Sequence, residues 1–233
     1  TVGVSDFNEN YEEGESKVTE VVIPATVSYE GKDYTVTSIE QYAFRWTSDI
    51  TKIEMPNTVT TLKDNAIYYN YDLAEVVLSE NLTSLGRYAL ASNSKITSLA
   101  IPAGVTEIPE SCFFNSSGLT HITFASDYTS IGGGAFYKTA ISEINIPGSC
   151  KSIGTNAFQL CPNLAKVTLG EGVDSLAEGA FRECAKLASI NLPSSLRKIG
   201  AYAFLDNTSL TSVTIPAGVS EVGDAAFSNT GVT

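Results

Sequence analysis

A repeat of 22 or 23 residues runs through most of the 233-residue chain and constrains its fold more than any other feature. Six units are 23 residues long and two are 22. The eight units begin at Ile50, Leu73, Ile96, Leu119, Ile141, Leu164, Leu187 and Leu210, and Val232 opens another. Because a unit this short cannot bury an apolar face by itself, neighbouring units must stack. The sequence therefore predicts a solenoid.

Each position of the unit has a structural meaning, which the stretch from Leu210 to Phe227 illustrates. Val213 and Ile215 at positions 4 and 6 alternate with polar residues and predict a strand with one buried face. Proline at position 7, here Pro216, ends the strand because it lacks an amide proton. Glycine at position 14 is typical of a tight bend, and the Ala-Phe at positions 17 and 18 predicts a short helical turn.

Phenylalanine at position 18 predicts an internal column along the solenoid. Stacked units lie about 4.8 Å apart in a parallel sheet, close enough for the rings to touch. Ile67 and Leu90 replace the ring in two units, and the others have Phe113, Phe136, Phe158, Phe181, Phe204 and Phe227. We interpret these rings as core and not as a cofactor site.

The repeat divides the chain into three parts. Residues 1–17 form an acidic leader, interpreted as a solvated leader or edge cover, with an acidic docking tail as the alternative. Residues 18–49 form an irregular first coil with a hairpin insertion at residues 28–35. Residues 50–233 hold the eight units and the start of a ninth. Since no polar capping unit follows, we expect the natural array to continue or a cap to have been removed.

Charge and hydropathy argue against two kinds of partner. Twenty-six acidic residues against 14 basic ones give a net charge of −12, which disfavours nucleic acid because phosphate backbones bind Lys and Arg. No apolar run approaches the roughly 18 residues of a membrane helix, so we predict no membrane span. We also predict no metal and no cofactor, because the chain has no Cys-x-x-Cys pair and no phosphate-cradling glycine loop.

The four cysteines are interpreted as framework residues. Cys112 and Cys150 take positions that elsewhere hold small or apolar residues. Cys161 and Cys184 share position 21 of consecutive units, and a separation of about 4.8 Å between stacked units permits a disulfide. Equivalent side chains on parallel rungs usually lack the disulfide torsion, so free thiols are the preferred interpretation and the disulfide is the alternative.

Position 3 of the strand carries a ladder of polar residues that includes the serine, histidine and acid of a hydrolase triad in a row. His121 lies between Ser98 of the preceding unit and Glu143 of the following one. Rungs about 4.8 Å apart exceed hydrogen-bond reach, and an exposed ladder offers no oxyanion hole. We therefore predict no catalysis and a polar surface, with ligand contact as the alternative. The candidate contacts on the strands are Lys52, Glu54, Glu75, His121, Glu143 and Lys166.

Aromatic residues gather around the first coils without a repeat-based reason. They are Trp46, Tyr68, Tyr69 and Tyr71, with Tyr42 and Tyr88 nearby. Three interpretations stay open: the rings shield the end of the core, bind a protein, or stack on a glycan. The candidate ligand contacts are Trp46, Tyr68, Tyr69 and Tyr71.

The proline after the strand and the Ile-Gly-x-x-Ala-Phe run resemble the BspA-type leucine-rich repeat, also described from Treponema pallidum surface proteins. The resemblance covers about residues 18–233. The chain departs from the commoner leucine-rich consensus, which has Asn or Cys where this chain has Thr58, Gly104 and other residues. The resemblance implies a curved, right-handed α/β solenoid with a concave parallel sheet. It also implies secreted or surface-attached proteins, mostly bacterial, several of which are adhesins for host matrix proteins.

The combined prediction is a non-catalytic extracellular or cell-surface domain that mediates adhesion or protein–protein interaction with a host or matrix protein. The alternatives are a carbohydrate-binding module that uses Trp46, Tyr69 and Tyr71, and a passive spacer. The chain starts at Thr1 with no signal segment before it, which indicates a processed chain or a fragment.

Overall fold

The computed structural model describes residues 1–4 and 18–232. This part of the chain contains 21 short strands and no helix. Nearly all strands pair in parallel with the equivalent strand of a neighbouring unit. The molecule is therefore a parallel β-solenoid of about eight turns. The right-handed sense and the curvature stay predictions, and residues 5–17 of the predicted leader lie outside the described residues.

The first ladder of strands runs through positions 3 to 6, where the sequence alternates. In β17, for example, exposed and buried residues alternate along the strand as predicted. The prediction is wrong for the unit that begins at Leu210, where residues 213–216 form no strand and Ile215 is 44% exposed. The strands are β2 (Glu20–Val22), β6 (Lys52–Glu54), β9 (Glu75–Val77), β11 (Ser98–Ile101), β13 (His121–Phe124), β15 (Glu143–Ile146), β17 (Lys166–Leu169) and β19 (Ser189–Asn191). Pairing is continuous in three blocks, β2-β6-β9, β11-β13 and β15-β17-β19.

A second ladder, which the sequence analysis did not predict, occupies positions 12 and 13. Its members are β4 (Lys32–Ile39), β7 (Thr61–Leu62), β10 (Ser84–Leu85), β12 (Glu107–Ile108), β14 (Ser130–Ile131), β16 (Ser152–Ile153), β18 (Ser175–Leu176), β20 (Lys198–Ile199) and β21 (Glu221–Val222). At its N-terminal edge, β1 (Val2–Val4) pairs in parallel with β4. Strand β3 (Thr26–Tyr29) pairs antiparallel with β4 across a two-residue turn at Glu30 and Gly31.

The predicted short helical turn is wrong. Positions 16 and 20 have positive φ in every unit, with values such as 55° at Asn156 and 59° at Leu160. Left-handed residues interrupt a right-handed helix, because a helix needs consecutive residues with negative φ. The N–H groups at positions 16, 18 and 20 instead donate to backbone carbonyls of the next unit, as Phe158 N does to Ala180 O at 2.9 Å. These bonds between units form a third ladder at positions 15 to 20, in which only β5 (Phe44–Arg45) and β8 (Ile67–Tyr68) are regular strands.

The internal column of phenylalanines is confirmed. Consecutive rings from Phe113 to Phe227 stack with centroids 5.0 to 5.7 Å apart. Most planes are nearly parallel, with 3° between Phe136 and Phe158. The ring spacing is close to the separation of paired strands, so the column packs without gaps between units.

Glycine is favoured at position 14 for a reason other than the predicted tight bend. Its φ is not positive in any unit, so the backbone does not require glycine for its conformation. A Cβ on Gly200 would lie 2.6 Å from the backbone carbon of Ala177, and one on Gly223 would lie 2.3 Å from Ala201 N. Glycine is therefore favoured here because the backbone of the preceding unit approaches closely.

Position 21 forms a buried polar column beside the phenylalanines. The side-chain amide of Asn93 donates to Ile67 O at 2.8 Å and to Leu90 O at 3.0 Å, and its oxygen accepts from Asn70 N at 3.0 Å. Cys161 and Cys184 take the same role, each thiol donating to a backbone carbonyl at 3.1 Å. These side chains satisfy backbone groups that the turns leave unpaired.

All four cysteines are buried and free, in agreement with the preferred interpretation. Burial raises the pKa of the Cys150 thiol to about 11. Burial also raises the pKa of the Cys112 and Cys184 thiols, because the charged thiolate loses its hydration. These three thiols are therefore protonated at neutral pH.

Candidate binding surfaces

The predicted aromatic residues form one contiguous cluster. Tyr69 lies at its centre, with its ring centroid 6.4 Å from that of Trp46, 5.1 Å from Tyr71 and 5.7 Å from Tyr68. The contacts with Trp46 and Tyr71 are edge-to-face, a preferred arrangement for aromatic pairs. Trp46 and Tyr71 are 60% and 61% exposed. The structure thus brings together all four predicted aromatic contacts.

The local backbone explains how large rings come to lie on the surface here. Trp46 and Tyr69 occupy position 20, where φ is 57° and 65°. The N–H of Trp46 donates to Tyr68 O at 3.1 Å, and that of Tyr69 to Ala91 O at 3.0 Å. The backbone of these turns is therefore fixed by hydrogen bonds to the next unit.

Arg45 completes the cluster and was missed by the sequence analysis. Its guanidinium lies 4.0 Å from the centroid of the Trp46 ring and 5.1 Å from that of Tyr42. Both distances are within the range of a cation–π interaction. The available signal was its position next to Trp46 in the sequence, because arginine stacks readily on aromatic rings. We call Tyr42, Arg45, Trp46, Tyr69 and Tyr71 the aromatic–arginine cluster.

A second aromatic row, also missed, lies farther along the third ladder. Phe114 and Tyr137 stack with centroids 4.7 Å apart and planes 5° from parallel, and Tyr88 contacts Phe114 at 6.0 Å. Phe114 and Tyr137 both occupy position 19 of consecutive units. The regular stacking of units accounts for this contact in the same way as for the internal phenylalanines.

The polar residues of the first ladder form separate groups. Lys52 pairs with Glu75 at 3.1 Å and with Glu54 at 3.5 Å. The hydrogen bond to Glu75 raises the pKa of Lys52. Lys166 and Glu143 are 3.9 Å apart. All these side chains are at least partly exposed, so the pairs are screened by solvent and contribute little to stability.

The row of Ser98, His121 and Glu143 does not form a triad. Ser98 and His121 are register partners on β11 and β13, whereas β13 and β15, which carries Glu143, are not paired. Within the described part of the chain, no hydrogen bond or ion pair joins the three side chains. A nucleophile and its base need such contact for activation.

A cleft opens between β13 and β15, and sequence analysis did not predict it. Its volume is about 730 Å³. Tyr128, 2% exposed, lies at its base with its ring centroid 4.5 Å from that of Phe124. The Tyr128 hydroxyl donates to Asn145 O at 2.9 Å. The cleft is bordered by His121, Glu143 and Lys166 from the predicted polar ladder.

Two kinds of special site are absent from residues 1–4 and 18–232. No group of three or more His, Cys, Asp or Glu residues has an arrangement that suits a metal ion. No helix in the same residues is long and apolar enough to cross a bilayer.

The family of the chain follows from its repeats. The model of the BspA type leucine-rich repeat region matches residues 13–139 and 129–233, with six copies. The chain belongs to this family. Together the matches cover nearly all of the sequence, including both ladders and the third, turn-rich face. No similar sequence was found among curated proteins.

Solved structures of bacterial leucine-rich repeat proteins share the fold. The pneumococcal vaccine antigen PcpA has a TM-score of 0.62 and 19% identity, covering 99% of this chain and 73% of that chain. A leucine-rich cell surface protein from Faecalibacterium prausnitzii has a TM-score of 0.54 and 22% identity, covering 91% and 79%. The T. pallidum leucine-rich repeat protein has a TM-score of 0.53 and 22% identity, covering 78% and 72%.

Proposed function

We propose that this chain is a non-catalytic binding domain of a secreted or cell-surface protein and that it binds a protein partner through the aromatic–arginine cluster. The observation that carries the proposal is the exposure of Trp46 and Tyr71 beside Arg45 on a fixed backbone. Trp, Tyr and Arg are the residues most enriched in the energetic centres of protein interfaces. The extracellular location is supported by the similarity to proteins described as a cell surface protein and as a vaccine antigen.

The cluster is suited to binding because little order has to be imposed on it. The edge-to-face contacts of Tyr69 with Trp46 and Tyr71 restrict the rings before a partner arrives. Preorganised side chains lose less conformational entropy on association. If the rings only shielded the core, Trp46 and Tyr71 would not leave 60% and 61% of their surface to solvent.

A protein partner is favoured over a glycan by the position of Arg45. Sugars stack on the flat face of an aromatic ring, and the guanidinium 4.0 Å from the Trp46 centroid already covers one face. The arginine adds five hydrogen-bond donors beside the rings, which suit the carboxylates and carbonyl groups of a protein surface.

The test is binding of the chain to immobilised fibronectin, fibrinogen and other matrix proteins, with a polysaccharide panel in parallel, at physiological salt. For a matrix protein that binds, we expect Trp46→Ala to weaken affinity at least roughly tenfold, about 1.4 kcal/mol. Tyr202→Ala is the control, because Tyr202 is an exposed aromatic residue, at 38%, that lies outside the cluster, and it should leave affinity unchanged.

Three results would contradict the proposal. Equal affinity of Trp46→Ala and the unmodified chain would remove the cluster from the interface. Quenching of Trp46 fluorescence by polysaccharides alone would favour the carbohydrate-binding module. Absence of binding to every protein and polysaccharide would favour the passive spacer.

A further inference from the structure

The gap between β13 and β15 leaves backbone groups of β13 unpaired in the middle of the first ladder. His121 N donates to Thr97 O of the preceding unit at 3.1 Å, and β13 pairs with β11 along its whole length. In a parallel strand, alternate residues direct their N–H and C=O groups to opposite neighbours. The groups of Ile122 and Phe124 therefore point into the gap, where the described residues provide no backbone partner.

The opposite side of the gap has the complementary arrangement. Lys166 N donates to Ser142 O at 3.3 Å, so alternate residues of β15 pair with β17. The groups of Glu143 and Asn145 therefore point back toward β13. Of these, Asn145 O accepts the Tyr128 hydroxyl. Two strand edges thus face each other across the cleft with most of their hydrogen-bonding capacity unused.

The strands on the two sides of the gap are too far apart to pair with each other. Cα atoms of β13 and β15 lie mostly more than 8 Å apart, whereas most of those in the paired strands β15 and β17 lie within that distance. β9 and β11 are also unpaired, yet their Cα atoms still approach within 8 Å at several positions. An additional strand between β13 and β15 needs two spacings of about 4.8 Å.

The side chains around the gap define what such a strand would carry. Ile122 and Phe124 are only partly buried, whereas Ile144 and Ile146 at the same positions of the next unit are 5% and 0% exposed. The open side of the cleft is bordered by charged and polar groups such as Glu143 and Lys166. An inserted strand would direct apolar side chains toward Phe124 and polar ones toward solvent.

We infer that the gap is a docking site for an extended peptide segment of a partner protein, which adds as a β-strand between β13 and β15. Strand addition obtains affinity from main-chain hydrogen bonds and specificity from alternate side-chain pockets. The gap supplies both, through the unpaired backbone groups of Ile122, Phe124 and Glu143, the unpaired N–H of Asn145, and the partly exposed Phe124 side chain. This site lies apart from the aromatic–arginine cluster, and the inference does not depend on the function proposed for that cluster.

Tyr128 is the residue that holds the gap open. Position 10 is valine in four other units, Val59, Val105, Val173 and Val219. The Tyr128 hydroxyl donates a hydrogen bond to Asn145 O. In a regular ladder, Asn145 O would instead accept from Phe124 N, just as Val77 O accepts from Met55 N at 3.0 Å in an earlier pair of units. Tyr128→Val should therefore remove the side chain that separates the two strands and let β13 and β15 pair.

The test uses a displayed library of random octapeptides selected on the immobilised full chain and counter-selected on Tyr128→Val. We expect enriched peptides with alternating apolar residues whose affinity falls at least tenfold on Tyr128→Val. N-methylation of alternate peptide nitrogens should weaken binding by a similar factor, because it removes main-chain donors. Trp46→Ala should leave the affinity unchanged, which separates this site from the aromatic–arginine cluster.

A second variant keeps the test valid if Tyr128→Val perturbs folding. Asn145→Pro removes one N–H that points into the gap and spares the pairing of β15 with β17, so it should also weaken binding several-fold. Circular dichroism and thermal unfolding check that both variants are folded. The inference is overturned if selection enriches no peptide above the Tyr128→Val background, or if the enriched peptides tolerate N-methylation.

Discussion

At the scale of single residues, the polar column at position 21 is the feature with the largest expected energetic effect. Asn93 satisfies three backbone groups in the core, those of Asn70, Ile67 and Leu90. The sequence analysis treated this position only through Cys161 and Cys184. An asparagine among apolar residues gives no direct indication of which backbone groups it satisfies, because two of the three groups belong to the preceding unit.

We predict that Asn93→Ala lowers the free energy of unfolding by about 3 kcal/mol, since it leaves several buried backbone groups without partners. Urea denaturation measures the change. Asn191→Ala is the control, because Asn191 is exposed on β19, and its effect should stay below about 0.5 kcal/mol. Similar losses for the two variants would show that the column contributes nothing specific.

At the scale of elements, the turns of the third ladder decide the shape of each unit. Position 20 has positive φ whether the residue is Trp46, Ser92, Leu160 or Glu183. Such residues adopt the left-handed region only at a cost, so the ladder must impose the conformation through hydrogen bonds between units. Positive φ was therefore invisible in the sequence, where the Ala-Phe pair alone suggested a helical turn.

We predict that Ser92→Gly stabilises the protein by about 0.5 kcal/mol. Ser92 has φ of 58°, which glycine adopts without steric cost, although glycine also gains entropy in the unfolded chain. Ala91→Gly, one residue earlier in the same turn at a buried position without positive φ, should instead destabilise by about 1 kcal/mol. Thermal unfolding distinguishes the two, and destabilisation by both would contradict the argument.

Other elements were predictable because their signal is periodic. The alternation at positions 4 and 6 gave the first ladder, and the recurrence of Phe at position 18 gave the internal column. The aromatic–arginine cluster was predicted in part, since Trp46 and Tyr69 break the repeat visibly. The cleft was not, because Tyr128 occupies an apolar position and only its hydroxyl and its size distinguish it from valine. The hydroxyl matters because it donates to Asn145 O of the next unit, and only the structure reveals this contact.

At the scale of the whole molecule, each unit is stabilised by its neighbours, so stability is expected to vary along the solenoid. The last unit has no first-ladder strand, only an isolated bridge between Ser189 and Ser212. Ile215 and Val222 in this unit are 44% and 49% exposed, whereas the equivalent residues of the other units are buried, except for the partly buried Phe124. The apolar faces of this unit are thus less protected than those of the others.

We predict that amide hydrogens of residues 211–215 exchange at least roughly ten times faster than those of β17, because local opening there disrupts few contacts. Hydrogen exchange detected by mass spectrometry measures the rates in the same sample. Amides of β19 provide an internal comparison next to the last unit. Equal protection of residues 211–215 and β17 would indicate that the array unfolds as one cooperative block.

The regular stacking of units also fixes the distance between the two candidate binding surfaces. The aromatic–arginine cluster lies on the first coil and the first unit, and the cleft lies between the fourth and fifth units. Duplication or loss of one intervening unit in the gene would shift the two surfaces relative to each other by one rung, about 4.8 Å, without rebuilding either. A lineage that carries such a scaffold can adjust the spacing of two contacts by recombination alone, in steps fixed by the geometry of the β-strand.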